Sequence, residues 1–211
     1  MDIKRYVSEL LCSNMYVVTE NGHALIIDPY DDITIGYGLK VDKILLTHEH
    51  YDHISGVNEW KKVYGAPVLC STECAKNIQN PRKNLANLFT VFCELQTWIE
   101  LEKNPKVDAG YVCEADEVFS NEMSFKWQEH KVKLFEMPGH SAGSIGIIID
   151  EKIFFSGDSL MENFDIELRL PGGSKKKWES IGKPRLQKIS DGMMVYPGHF
   201  QEFEYKGKGG N

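Results

Sequence analysis

The sequence lacks any run of about 20 apolar residues, the length that a membrane-spanning helix requires. Residues 1–11 carry several charged side chains and lack the apolar segment of a secretory signal peptide. An excess of basic residues is also absent, because 24 Lys and Arg stand against 31 Asp and Glu and give a net charge of −7. We therefore expect a cytoplasmic protein that binds neither nucleic acid nor an anionic membrane. Its oligomeric state is not indicated.

Cysteine is scarce, and the five cysteines are an odd number without the close spacing of a disulfide framework. We expect reduced thiols that pack as small hydrophobic side chains, and the spacing of Cys70 and Cys74 would allow them to share one helix face. A Gly-x-Ser-x-Gly nucleophile motif is missing as well. The chemistry of the chain must therefore come from other groups. The five residues left out of the candidate site are Cys12, Cys70, Cys74, Cys93 and Cys113.

Histidine and aspartate supply the candidate site. Of the seven histidines, five fall into one short cluster and two later Pro-Gly-His motifs. The cluster follows residues 43–47, an apolar run typical of a buried strand, so it lies where that strand ends and where functional loops are common. One aspartate lies inside the cluster and another in a Ser-Gly-Asp-Ser segment. The candidate metal ligands are His48, His50, Asp52, His53, His140, Asp158 and His199.

Two other kinds of metal site do not fit this pattern. His48-Glu49 resembles the start of the zincin motif H-E-x-x-H, but the second histidine is replaced by Asp52 and the motif needs a helix. Structural zinc sites are closed, usually four-coordinate and rich in cysteine. The present set has more ligands than one closed site needs and contains no cysteine. We therefore predict a catalytic metal site.

Seven ligands are enough for two closely spaced metal ions. Nitrogen and oxygen donors without thiolates suit zinc best, and iron or manganese is admissible. Two such ions would activate a shared water as hydroxide for attack on an acyl carbon, with Asp52 and Asp158 as the catalytic carboxylates. The expected division places one ion between His48, His50 and His140, a second between Asp52, His53 and His199, and Asp158 as the bridge.

The remaining patterns predict an α/β protein with a single domain over residues 1–211. Asn21-Gly22 between apolar runs predicts a hairpin, which makes His23 a turn residue, and His130 is expected in solvent. Lys175-Lys176-Lys177 is either a solvated loop or a contact for a substrate anion. Residues 72–104 permit helix but are interrupted by Asn80-Pro81, and they are either an amphipathic helix or a lid over the metal cleft. Their apolar side chains recur at helical spacing, at Leu85, Leu88, Phe89, Phe92, Leu95 and Ile99.

The ligand motifs resemble the signature of the metallo-β-lactamase superfamily. Residues 47–56 match T-H-x-H-x-D-H-x-x-G, and the motifs containing His140, Asp158 and His199 follow in the same order. Asp28-Pro29 resembles the family's strand-end aspartate, which lies behind the ligands. The resemblance covers about residues 13–202. It implies an αββα four-layer sandwich, in which two mixed β-sheets lie between outer helices and the metals occupy a cleft at one sheet edge.

Within the superfamily, residues 170–174 resemble the Leu-Pro-Gly-Gly-Asp segment of short glyoxalase II-like hydrolases, although Arg169 is out of register with the arginine expected before it. This resemblance implies a hydroxyacyl thioester hydrolase-like enzyme with two metal ions that acts on a small ester, thioester or lactone. Two alternatives stay open. One is a mononuclear iron oxygenase that resembles the persulfide dioxygenases, and the other is a non-enzymatic binding module on the same scaffold.

Overall fold

Two six-stranded mixed sheets form the centre of the protein in the computed structural model, which describes residues 1–96 and 106–207. The first sheet has the order β1-β2-β3-β4-β5-β6, and its last four strands are parallel. Its strands are β1 (Asp2–Val7), β2 (Asn14–Glu20), β3 (His23–Ile27), β4 (Lys40–Leu45), β5 (Val68–Ser71) and β6 (Glu117–Phe119). The predicted hairpin joins β2 to β3, and Asn21 and Gly22 adopt the left-handed backbone that a tight turn needs.

The second sheet has the order β12-β11-β10-β9-β8-β7 and is antiparallel except between β10 and β11. The connection between β10 and β11 is long, as a parallel pair requires, and it contains the last helices of the chain. The strands are β7 (Glu122–Trp127), β8 (His130–Glu136), β9 (Ile145–Ile149), β10 (Ile153–Gly157), β11 (Met194–Pro197) and β12 (Phe203–Glu204).

Short helices cover the outer faces of both sheets. Those over the first sheet are α1 (Tyr51–Ile54), α2 (Val57–Tyr64), α3 (Thr72–Asn77) and α4 (Phe89–Leu95), with 3-10 turns at Ile33–Gly36 and Ala86–Leu88. Over the second sheet, α5 (Lys175–Lys177) continues through a π-helical turn (Trp178–Gly182) into α6 (Lys183–Leu186). Among the described residues, every helix is too short or too polar to span a bilayer.

Side-chain alternation along the central strands explains the layering. In β2, Met15 and Val17 pack with the outer helices, whereas Tyr16 and Val18 pack against the second sheet. Successive side chains of a strand point to opposite faces, so a strand that is apolar at every position must be covered on both sides. The second sheet is covered in the same way by Trp178 on its outer face. The predicted αββα four-layer sandwich with mixed sheets is therefore confirmed.

Several local expectations are wrong. Cys70 lies in β5 and Cys74 in α3, so they do not share a helix face. His23 is the first residue of β3 rather than a turn residue. The side chain of His130 is only 19% exposed because it is paired with Asp150. The lysines at 175–177 form a helical turn rather than a loop, because the Ser174 hydroxyl accepts a hydrogen bond from the Lys177 amide.

Residues 72–96, the described part of the predicted amphipathic helix or lid, do not form one helix. α3 ends at Asn77, and α4 begins only at Phe89. Leu85, the first residue of the apolar stripe, has a left-handed backbone with φ of 68°, which no helix interior allows. Ile99, its last residue, lies outside the described residues. The break between α3 and α4 contains the interruption expected at Asn80-Pro81, and the amphipathic helix is present over Phe89–Leu95 but not at Leu85. The lid stays a prediction.

Candidate metal centre

All seven predicted ligands meet at one end of the two sheets. The first four follow β4, with His48 and His50 in the loop and Asp52 and His53 in the one-turn helix α1. The other three come from the ends of strands in the second sheet: His140 lies between β8 and β9, Asp158 directly after β10, and His199 after β11. All seven are buried, and the most exposed, Asp158, has 8% of its surface accessible. The structure therefore brings the whole predicted set together.

The ligands form two groups of three, as the spacing predicts. In each group the donor atoms lie within 4.8 Å of one another, which suits a single ion. Asp28 with His48 and His53 forms a further group of this size. The Asp28 carboxylate already accepts hydrogen bonds from Thr47 and His53, so we assign Asp28 the role of orienting the metal ligands rather than binding an ion. The two remaining groups are His48, His50 and His140, and Asp52, His53 and His199.

Asp158 lies between the two groups. Its Oδ2 atom is 3.4 Å from Nε2 of His140 in the first group and 3.4 Å from Nε2 of His199 in the second. Its Oδ1 atom is 3.5 Å from Nε2 of His53. A Cβ atom at Gly198 would lie 2.0 Å from Oδ1 of Asp158, so the Pro-Gly-His motif needs glycine at this position. This placement is the one that a bridging carboxylate requires.

Hydrogen bonds behind the site fix the orientation of most imidazole rings. Nδ1 of His140 donates to the backbone carbonyl of Glu167 at 3.0 Å, and Nδ1 of His199 donates to that of Leu11 at 3.1 Å. Nδ1 of His53 faces the Asp28 carboxylate at 3.2 Å. Each of these contacts turns Nε2 towards the centre of the site. Metal-binding histidines ordinarily have such a partner on the other ring nitrogen.

Asp28 and Thr47 orient His48 through a short chain of hydrogen bonds. Asp28 accepts from the Thr47 amide at 2.7 Å and from the Thr47 hydroxyl at 2.5 Å. Because that hydroxyl proton is used, the hydroxyl oxygen is the acceptor for Nδ1 of His48 at 3.0 Å. Asp28 thus occupies the supporting position that the family resemblance implies.

Several potential metal-ligand atoms at the centre of the site have no hydrogen-bond partner. Nε2 of His48, of His50 and of His53 and Oδ1 of Asp158 are all buried and unsatisfied. Buried polar atoms are rarely left in this state because the loss of hydration costs free energy. Nδ1 of His50 lies 3.0 Å from Nε2 of His140, so these two ring nitrogens also face each other. Lone pairs that converge in this way fit divalent cations.

The electrostatics of the site favour the same conclusion. Burial, followed by the neighbouring His140, lowers the pKa of His50 to about 3, and burial also keeps the pKa of His48 well below its usual range. These rings are therefore neutral at pH 7 and can offer lone pairs. Burial acts to lower the pKa of His53 too, but Asp52 and Asp158 outweigh it and raise that pKa well above normal. The carboxylates thus create a local field that favours positive charge.

Glu49 is a site residue that the sequence analysis did not identify. It lies between His48 and His50 and is 1% exposed. Its carboxylate accepts hydrogen bonds from Asn77 at 2.7 Å, from the Ser141 hydroxyl at 2.7 Å and from the Gly143 amide at 3.1 Å. It therefore holds the loop that carries His140 against α3. The only sequence signal was an acidic residue at the end of a buried strand.

A cavity of about 590 Å³ opens onto the metal centre. His50, Asp52 and His140 lie at its base, and its walls are mainly apolar. The described part of the 72–104 segment forms one wall through Leu85 and Phe89. This volume is in the usual range for sites that bind small molecules. Lys175-Lys176-Lys177 does not line the cavity, so the predicted anion contact at these lysines is not part of it.

Comparisons with known proteins agree with this geometry. The model of the metallo-beta-lactamase superfamily matches residues 11–199. Hydroxyacylglutathione hydrolase GloC of Haemophilus influenzae is 26% identical over 163 residues, which are 76% of this chain and 69% of that protein. The BLEG-1 B3 metallo-beta-lactamase is 25% identical, with a TM-score of 0.77 over 96% of this chain and 94% of its own. ETHE1 from Myxococcus xanthus shares the fold at 17% identity, with a TM-score of 0.71 and coverage of 97% and 80%.

Proposed function

Because the chain belongs to the metallo-beta-lactamase superfamily, we propose that it is a metal-dependent hydrolase of a small ester, thioester or lactone. One observation carries the proposal, namely the convergence of buried and unpartnered donor atoms from His48, His50, His53 and Asp158 at the base of an open cavity. The similarity to the hydroxyacylglutathione hydrolase of Haemophilus influenzae supports the same class of reaction.

The donor set fits two metal ions. The first group of three donors consists of imidazoles alone, whereas the second contains a carboxylate, and neither contains a thiolate. This chemistry favours Zn²⁺, while iron and manganese are compatible with it. In our assignment His48, His50 and His140 would hold one ion and Asp52, His53 and His199 the other, and Asp158, which lies between the two groups, would be shared by both.

The residues of the chain would divide the chemical work as follows. Metal ions bound here would supply Lewis-acid chemistry, since they lower the pKa of a coordinated water and polarise a carbonyl. Asp52 and Asp158 line the cavity, so their carboxylates can orient the attacking water. The hydrogen bonds from His140 and His199 to backbone carbonyls keep both rings fixed during turnover. The apolar walls would exclude bulk water and strengthen these charge interactions.

The proposal can be tested by metal content and substrate preference together. Protein purified without chelator is analysed for metals and then assayed with an ester, a thioester, a lactone and a phosphodiester. We expect about two metals per chain and turnover of an acyl substrate that chelation abolishes and added Zn²⁺ restores. Negligible metal after supplementation would contradict the proposal. One iron per chain together with oxygen consumption would replace it with the oxygenase alternative.

A further inference from the structure

The cavity above the metal centre has two apolar walls. One is formed by Leu85, which precedes α4, and by Phe89 and Phe92 of α4. The other is formed by the loop after β10 and the residue after His199, with Phe164 and Phe200. The rings of Phe164 and Phe200 stack with centroids 4.3 Å apart and planes at 6°. Phe164 is 48% exposed and lines the cavity together with Phe200, so the stacked pair gives this wall an aromatic surface.

Three apolar residues that line this cavity have a strained backbone. In the described residues, the large apolar side chains with a left-handed backbone are Leu11 (φ 52°), Leu85 (φ 68°) and Phe200 (φ 66°). All three line the cavity. The left-handed region is costly for bulky residues, and it persists where surrounding contacts enforce it, often at ligand sites. The fold therefore holds these three side chains in place at a cost to its own stability.

Contacts with the first sheet enforce the conformation of Phe200. Its carbonyl oxygen accepts hydrogen bonds from Arg5 Nη1 at 2.8 Å and from Asn14 Nδ2 at 2.8 Å. Both donors come from strands near the start of the chain, about 190 residues away in sequence. The ring of Phe200 is thus positioned by long-range contacts to its backbone.

The charges on the cavity wall oppose an anionic substrate. Among the described lining residues, Arg169 is the one cationic side chain outside the histidines. Its Nε and Nη2 atoms donate to the Glu167 carboxylate at 2.9 and 2.6 Å, so the pair is occupied within itself, although the Arg169 side chain is 90% exposed. Asp165 and Glu167 line the same cavity. An acyl group that extends along the wall, away from the metal ions proposed at the base, would therefore meet two carboxylates and one paired cation among the described lining residues.

We propose that the substrate is a neutral ester or thioester with an apolar acyl group, either aromatic or of medium chain length, which Phe92, Phe164 and Phe200 select. The inference rests on the proposed function for the reaction, but the binding of the apolar group does not depend on turnover. It gives this hydrolase a preference for hydrophobic acyl groups over small hydroxylated or charged ones.

Binding can be measured without hydrolysis. Methyl ketones from 2-butanone to 2-decanone are neutral, resemble the acyl half of an ester and cannot be hydrolysed. Isothermal titration of the metal-loaded full-length protein should show affinity that rises by about two- to fourfold per methylene until the cavity is filled. Affinity that does not change with chain length would overturn the proposal.

Turnover gives a second and separable measurement. The kcat/KM values of p-nitrophenyl acetate, butyrate and octanoate should rise in that order, and the anionic succinate monoester should react at least about tenfold more slowly than butyrate. Hydrolysis of all four esters at similar rates would leave the hydrolase assignment intact and overturn the apolar preference. Ketone binding that depends on chain length, without hydrolysis of any ester, thioester or lactone, would instead refute the proposed function alone.

Two cavity variants and one matched control locate the effect. Phe164→Ala removes a half-exposed ring, and Phe200→Gly removes the other ring while it relieves the left-handed backbone. Each should reduce the preference for octanoate over acetate by about tenfold. The Phe200→Gly variant should also have the melting temperature of the wild type. Tyr37→Ala, which removes a 66% exposed aromatic side chain that does not line the cavity, should change neither measurement. Lower stability with an intact octanoate preference would show that the two rings are structural.

Discussion

The seven histidines lie in two contrasting environments. Five are buried at the metal centre, where their neighbours are other imidazoles, as for His48 and His50 with ring centroids 4.7 Å apart. The other two begin β3 and β8, and each is paired with one carboxylate. Nδ1 of His23 is 2.7 Å from Asp42, and Nδ1 of His130 is 2.6 Å from Asp150.

This difference separates a candidate metal site from ordinary structural histidines. A carboxylate satisfies the charge and the hydrogen bonding of one imidazole, so His23 and His130 need no further partner to be stable. Nε2 of His130 is also buried without a hydrogen bond, but it lies 4.0 Å from Glu20, and the described residues form no group of potential metal ligands around it. At the metal centre, unpartnered atoms from several residues point at the same space. Convergence, rather than residue type, distinguishes the two environments.

The largest effect should come from the carboxylate between the two ligand groups. We expect Asp158→Ala to abolish measurable turnover and to weaken metal binding by more than about 100-fold. Mutation of residues that only support metal ligands already lowers metal affinity by about 10- to 100-fold. Metal stoichiometry and kcat/KM test this. Asp150→Ala, at the paired histidine His130, is the matched control and should keep both values. Full metal content with wild-type activity in Asp158→Ala would remove the bridging role.

A smaller but still large effect is expected at Glu49. Glu49→Ala removes the acceptor of the hydrogen bonds from Asn77, Ser141 and Gly143, and we expect a loss of about 2–4 kcal/mol in unfolding free energy. The His140 loop would loosen, and metal affinity should fall by about tenfold or more. Glu49→Gln keeps an acceptor oxygen and should therefore lose less unfolding free energy and less metal affinity. Calorimetry and metal titration distinguish the two variants, and equal behaviour of both would show that the hydrogen bonds are unimportant.

At the other histidine environment, His23→Ala should affect stability alone. Asp42 also accepts a hydrogen bond from Trp127 Nε1 at 2.9 Å and pairs with Lys40 Nζ at 3.8 Å, so it keeps two of its three partners. We expect a loss of about 1 kcal/mol, equivalent to roughly 2–4 °C in melting temperature. Metal content should equal that of the wild type. A change in metal stoichiometry would mean that the two environments are coupled.

The smallest effect concerns acid stability. The hydrogen bond from His130 holds the pKa of Asp150 below its usual range. A carboxyl group with a lowered folded-state pKa stabilises the protein above its ordinary pKa, and this contribution disappears as the pH falls through the folded value. His130→Ala should therefore flatten the loss of stability below about pH 4, by less than ~1 kcal/mol because Asp150 is partly exposed. Urea unfolding at pH 7 and pH 3 measures the difference, and an unchanged pH dependence would rule out this contribution.

The sequence predicts the layers and the ligand cluster because both depend on local information. Alternating apolar residues identify strands. Four of the seven ligands lie within the six positions 48–53, shortly after strand β4. The contacts of Glu49 could not be read from the sequence, since one of its donors, Gly143, is 94 residues away. The helical stripe failed at Leu85 because surrounding contacts override helical propensity there. Ser174 before three lysines was a capping signal that could have predicted α5. The role of each ligand, the metal and the domain extent stay predictions.

The contacts that hold the segment of His199, the last ligand in the chain, determine the order in which the two metal sites can form. Asn14 donates from its side chain to the Pro197 carbonyl at 2.9 Å and from its backbone amide to the Gly198 carbonyl at 2.7 Å, and residues 13 and 199 form a β-bridge. Since Asn14 and Pro197 are 183 residues apart, this contact must wait until most of the chain has emerged from the ribosome. We expect a nascent chain to hold at most the first ion, and acquisition of the second to report that synthesis has passed His199.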